Sequence, residues 1–242
     1  FQILFNKRLI DRAKLLLAPV NGNERYITVG AGHTTAACKT AKHGKFKKHD
    51  RFRTVDGYFN LAPQMDKDPG LEALIEQDAI YRKVAGDSGG WLDISPQLYF
   101  HVVLRRRLPR PKTYLQRRVI RYLANLLSLF VRTDRLYRVQ PGEQESFEYL
   151  IDLIAEAAES EHERQFLVHA HLGNYALFLA GVGRGWIEHR LRYGRSALGV
   201  DYYRDMGRNA YHQAASHRLA RDLDLAPVLD YLADGFDGYA RA

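Results

Sequence analysis

The stretch "EHERQFLVHAHLGNYALFLAGV", Glu161–Val182, decides the fold. From Phe166 onward it is apolar, interrupted by His169, His171, Gly173 and Asn174. It is far longer than a strand of roughly 5–6 residues. Ser160 with Glu163 matches a capping box ahead of it, and the glycines of "GVGRG" match its end. A helix apolar on most sides must be covered by other elements. No run reaches the roughly 18 apolar residues that a membrane span requires. The longest, "LANLLSLFV" (Leu123–Val131) and "YALFLAGV" (Tyr175–Val182), read as buried helix.

The flanking segments supply the covering helices. Asp68-Pro69 offers a capped start to a helix over 69–84. Ser95-Pro96 offers another, into "PQLYFHVVLRRRL", which Pro109 and Pro111 stop. A third runs from about Thr113 to Val131. Leu115, Val119, Tyr122, Leu123, Leu126 and Phe130 share one side, leaving Arg117, Arg118 and Arg121 to the rest of its surface. In "FEYLIDLI", Phe147, Leu150, Ile151 and Ile154 fall at i, i+3, i+4 and i+7. Further helices are expected over about 202–217 and from near Pro227, the latter using Leu229, Leu232 and Phe236.

The N-terminal part differs. Residues 3–17 read as an amphipathic helix carrying Ile3, Leu9, Ile10, Ala13, Leu16 and Leu17, with Pro19 after it. Residues 20–62 are rich in Gly, Thr, Lys and His, with a short strand at "YITV" and a hairpin signal at Asp56-Gly57. The prediction is an all-α fold. It is an irregular multi-helix bundle with a loop-rich, basic N-terminal insertion carrying at most a small β element. Three parts are expected: a helix over 1–18, a basic segment over 19–62 and a helical domain over 63–242.

Of 242 residues, 46% are hydrophobic and 26% charged, values of an ordinary soluble globular protein. Cys38 is the only cysteine, which excludes an internal disulfide and fits a reducing, cytoplasmic setting. The net charge of +8 is concentrated in two segments. Lys39–Arg53 holds Lys39, Lys42, Lys45, Lys47, Lys48, Arg51 and Arg53 against Asp50 alone. Arg105–Arg121 holds Arg105, Arg106, Arg107, Arg110, Lys112, Arg117, Arg118 and Arg121 with no acid. Phe46 and Phe52 interleave the first, and Tyr114 and Tyr122 flank the second. Cations neutralise phosphates and aromatic rings stack on bases, so the pattern points to nucleic acid or another polyanion. The competing reading pairs these cations with the acidic segment Glu143–Glu163.

The segment "AGDSGGW", Ala85–Trp91, carries a different signal. Gly86-Asp87-Ser88-Gly89-Gly90 resembles the loop around the nucleophilic serine of trypsin-like proteases. The resemblance implies Ser88 as nucleophile, His33 as its base and Asp50 or Asp56 as the orienting carboxylate. That geometry is built between two β-barrels. His33 and Ser88 lie too close in the chain to hold them, and a helix follows Ser88 where strands should. The string also satisfies the Gly-x-Ser-x-Gly elbow of other hydrolases, which needs a strand before it and a helix directly after. We therefore read it as a glycine-rich hinge between two helices.

Other candidate chemistry is sparse. His33, Cys38, His43 and His49 lie close together, but their spacing matches no usual zinc site, so no metal is expected. Glu159-x-x-His162 has the spacing of half a di-iron site, without a second motif. On a helix His169 and His171 point about 200° apart and do not share a metal, whereas His171 and Asn174 share a face. His169, His171 and Asn174 thus form a candidate polar site in the core. The functional expectation is a helical binding protein without cofactor, acting through its basic surface. One alternative is an enzyme or a cofactor- or metal-binding protein using the core histidines with Tyr175 and Tyr211. The other is a scaffold subunit meeting a protein partner or a second copy.

Overall fold

The computed structural model describes residues 73–85, 94–131, 136–139, 150–160 and 162–242. The predicted helix over 3–17, the strand at "YITV", the Asp56-Gly57 hairpin, the first basic segment, His33, Cys38, His43, His49 and Ser88 lie outside the described residues. Among the described residues all regular structure is helical. In chain order the helices are α1 (Asp78–Ala85), α2 (Pro96–Arg107), α3 (Tyr114–Phe130), α4 (Leu150–Glu159) and α5 (His162–Gly181). They continue as α6 (Arg184–Arg192), α7 (Val200–Ser216), α8 (Arg218–Asp222), α9 (Ala226–Asp234) and α10 (Phe236–Arg241).

The helix starts follow the capping chemistry. Ser95 Oγ accepts the Leu98 N–H at 3.2 Å, with Pro96 in the first turn. α2 stops at Arg107, ahead of Pro109 and Pro111. Thr113 opens α3 with a capping box: its Oγ1 accepts the Gln116 N–H while Gln116 Oε1 accepts the Thr113 N–H, both at 3.2 Å. The expected 69–84 helix is not continuous. Ala73–Ile75 forms one helical turn, a break follows at Glu76 and Gln77, and α1 begins at Asp78. The reason is tertiary: Glu76 turns to bind Arg105 and Arg110.

The predicted central helix is α5, buried without interruption from Ala170 to Ala180. α7 lies along it, α4 covers another side, and α3 reaches it through Phe130, whose ring meets that of Phe178 edge-on at 5.2 Å. α9 packs on α7 and α3, and α10 packs on α5 and α7. Phe166, Leu179, Leu229, Leu232 and Phe236 are all but fully buried, and each such side chain contributes about 1.5–3 kcal/mol. Close helix approach depends on glycine. A Cβ at Gly207 of α7 would stand 2.5 Å from Phe236 Cε2 and 2.8 Å from Ala176 Cβ.

Two expectations about α3 need correction. Arg121 is only 8% exposed, so it does not lie on the helix surface. Tyr122 does not flank a basic surface either; it is buried against α5. Both fall on the half of α3 that the bundle covers.

Candidate functional site

The α1–α3 part of the molecule carries the charge imbalance. Among the described residues between 73 and 131, ten Lys and Arg meet two carboxylates, Glu76 and Asp78. From α4 to α10 the described residues hold ten arginines against twelve acids. The two halves of the bundle therefore differ in sign. The three arginines ending α2 also suit the negative end of its dipole.

The arginines have different roles. Arg105 is buried and bonded to Glu76. Arg110 binds the other oxygen of Glu76 at 2.7 Å, Arg106 pairs with Asp78 and packs over the Tyr81 ring, and Arg118 bridges to Asp224 at 2.7 Å. Among the described residues the acids paired with this patch are Glu76, Asp78 and Asp224. From the expected counterweight, Glu143–Glu163, Glu156 pairs instead with Arg164 at 2.8 Å. Arg105 and Arg121 are withdrawn from any outer surface by burial, which holds the Arg121 guanidinium below its ordinary pKa.

Arg107, Arg110 and Lys112 remain exposed at the corner between α2 and α3, with Arg117 half-buried one turn into α3. Pro109 and Pro111 fix the backbone of that corner, which lowers the entropy lost on binding a ligand there. Tyr114 is 50% exposed, and the guanidiniums of Arg117 and Arg118 lie 5.9 and 5.8 Å from its ring centre. An exposed ring beside two cations is a stacking platform next to phosphate-binding groups. Two neighbours escaped the sequence reading. Arg82 and Lys83 are exposed on α1, which packs on α2. They lie outside both basic runs, and only the packing brings them to this layer.

The three core polar residues do not form one site. Asn174 Oδ1 accepts two hydroxyls, from Tyr122 of α3 and Tyr211 of α7, each at 2.9 Å. His171 is fully buried, and its Nε2 lies 3.1 Å from the Leu136 carbonyl, which requires the proton on Nε2. Burial holds its pKa down to about 4, against the raising effect of that carbonyl and with a smaller lowering by Arg164. It is a neutral structural imidazole. His169 points another way, as the helical angle requires, and lines a groove against α7. Tyr175 is held above the ordinary phenol range by burial, so neither it nor the bonded Tyr211 supplies a ready base. Among the described residues no cluster of His, Cys, Asp and Glu could hold a metal ion.

No single helix among the described residues is long and apolar enough to cross a membrane. No protein-family model matches this chain, and neither does any curated protein or solved structure.

Proposed function

We propose that the protein binds a polyanion, nucleic acid first, through the cationic face of α1–α3. The observation that supports this reading is the excess of ten cations over two carboxylates there, with Tyr114 next to the Arg117 and Arg118 guanidiniums and beside the exposed Arg107, Arg110 and Lys112. Arg107, Arg110, Lys112 and Arg117 contact phosphates, and the Tyr114 ring stacks on a base or sugar. The basic segment Lys39–Arg53 adds further phosphate contacts. A site of this kind binds with little sequence preference, because neither charge nor stacking reads base edges. The reading places the protein among cytoplasmic binding proteins rather than enzymes.

The test is a titration of mixed single-stranded oligonucleotide at several salt concentrations. The four phosphate contacts of the α2–α3 corner alone give a slope of log K against log salt of about −3, and those of Lys39–Arg53 steepen it. Absence of binding at low salt, or binding indifferent to salt, excludes the reading.

A further inference from the structure

α4, α5 and α7 enclose a groove of about 340 Å³. Ile154 comes from α4, His169 and Leu172 from α5, and Asp205, Asn209 and Gln213 from α7. The last three recur every fourth residue, so they form a polar ladder along one face of α7. Met206 and Leu172 supply the apolar part of the wall. This volume lies at the lower end of small-molecule sites and admits a single-ring or short-chain molecule.

The charge of the lining is one-sided. It contains one carboxylate and no lysine or arginine. Among the described residues Asp205 has no salt bridge, and the arginines near it on α7 are committed elsewhere. Arg204 binds Asp201 and lies 3.4 Å from Asp237, and Arg208 donates to the Ala233 carbonyl at 3.4 Å. Burial, and then the nearby His217, hold the His169 pKa below its ordinary value, which disfavours a positive charge there. An anion would meet only Asp205. A cation gains its charge, and an ammonium head on Asp205 keeps a donor for the side-chain oxygen of Asn209, one helical turn along.

We propose that this groove binds a small amphipathic amine, its ammonium on Asp205 and its apolar body against Leu172 and Met206. The site shares no residue with the polyanion face and stands independently of that reading.

The probe is 2-phenylethylamine, titrated into the full chain with the methionine methyls followed by carbon-13 NMR and the Met206 resonance assigned through Met206→Leu. The amine shifts the Met206 methyl saturably and binds up to about fivefold more tightly than 2-phenylethanol, the preference one exposed carboxylate can give. Phenylacetate leaves the resonance in place. Asp205→Asn, an isosteric change on an exposed helix position, abolishes the preference for the amine while oligonucleotide binding is unchanged. A Met206 methyl that does not move, equal binding of amine and alcohol, or an amine preference that survives in Asp205→Asn overturns the proposal.

Discussion

Gly173 of α5 lies against the ring of Tyr211 of α7: a Cβ at position 173 would stand 2.6 Å from Tyr211 Cδ1 and 2.7 Å from Cε1. The ring has no room to retreat, because it is fully buried and its hydroxyl is bonded to Asn174. In an open helix Gly173→Ala would stabilise by about 1 kcal/mol. Here overpacking outweighs that gain, and the variant loses about 1–3 kcal/mol, or roughly 3–10 °C of melting temperature. Thermal melts by circular dichroism check it.

Asn174 joins three helices through one oxygen, and the cost of removing it depends on its partners. Asn174→Ala leaves two buried hydroxyls without their acceptor and costs about 2–5 kcal/mol. With Tyr122→Phe and Tyr211→Phe already in place, the same change costs markedly less, because no hydroxyl is stranded. Chemical denaturation of the four combinations measures the coupling.

Glu76 and Asp78 differ in what they leave behind. Removing Glu76 takes a carboxylate from Arg105, whose side chain is 3% exposed, whereas Asp78 pairs with the partly exposed Arg106. Glu76→Gln therefore destabilises by about 1–3 kcal/mol and Asp78→Asn by less than about 1 kcal/mol. Equal losses in urea titrations contradict this division.

Acid destabilises the fold through its buried imidazoles. His171 and His101 are both held down to about 4, in each case first by burial, with Arg105 adding to the effect at His101. Because the folded values lie below the unfolded one near 6.5, each group's contribution is complete above pH 6.5. It is lost as the pH falls from there toward 4, by about 3 kcal/mol per group. Stability followed from pH 7 to 4 falls accordingly, and His101→Gln or His171→Gln flattens the curve.

Much of the helical frame was legible in the sequence. Ser95-Pro96 opens α2, Thr113 opens α3, and the apolar run over 161–182 is α5 at His162–Gly181, because caps and periodicity are local properties. α6 was missed: the glycines at 183 and 185 read as a stop, yet Gly183 serves as the N-cap of the next helix. The break at Glu76 was hidden because its cause lies some thirty residues away, at Arg105 and Arg110. The same limit applies to the basic run. Charge is visible in sequence, but whether an arginine is buried, paired or free depends on packing, so Arg105, Arg118 and Arg107 looked alike. The divergence of His169 from His171 followed from helix geometry, whereas the groove beside His169 depends on α7 and was not visible.

The central claim rests on Arg107, Lys112 and Arg117, which make no ion pair among the described residues. The most direct measurement is the salt dependence of oligonucleotide binding, compared between the native chain and Arg107→Gln/Lys112→Gln/Arg117→Gln. All three side chains sit outside the core, so the fold is retained. The account predicts weaker binding and a slope smaller in magnitude by about 2, the effect of three lost phosphate contacts on a single strand. An unchanged affinity and slope would contradict it.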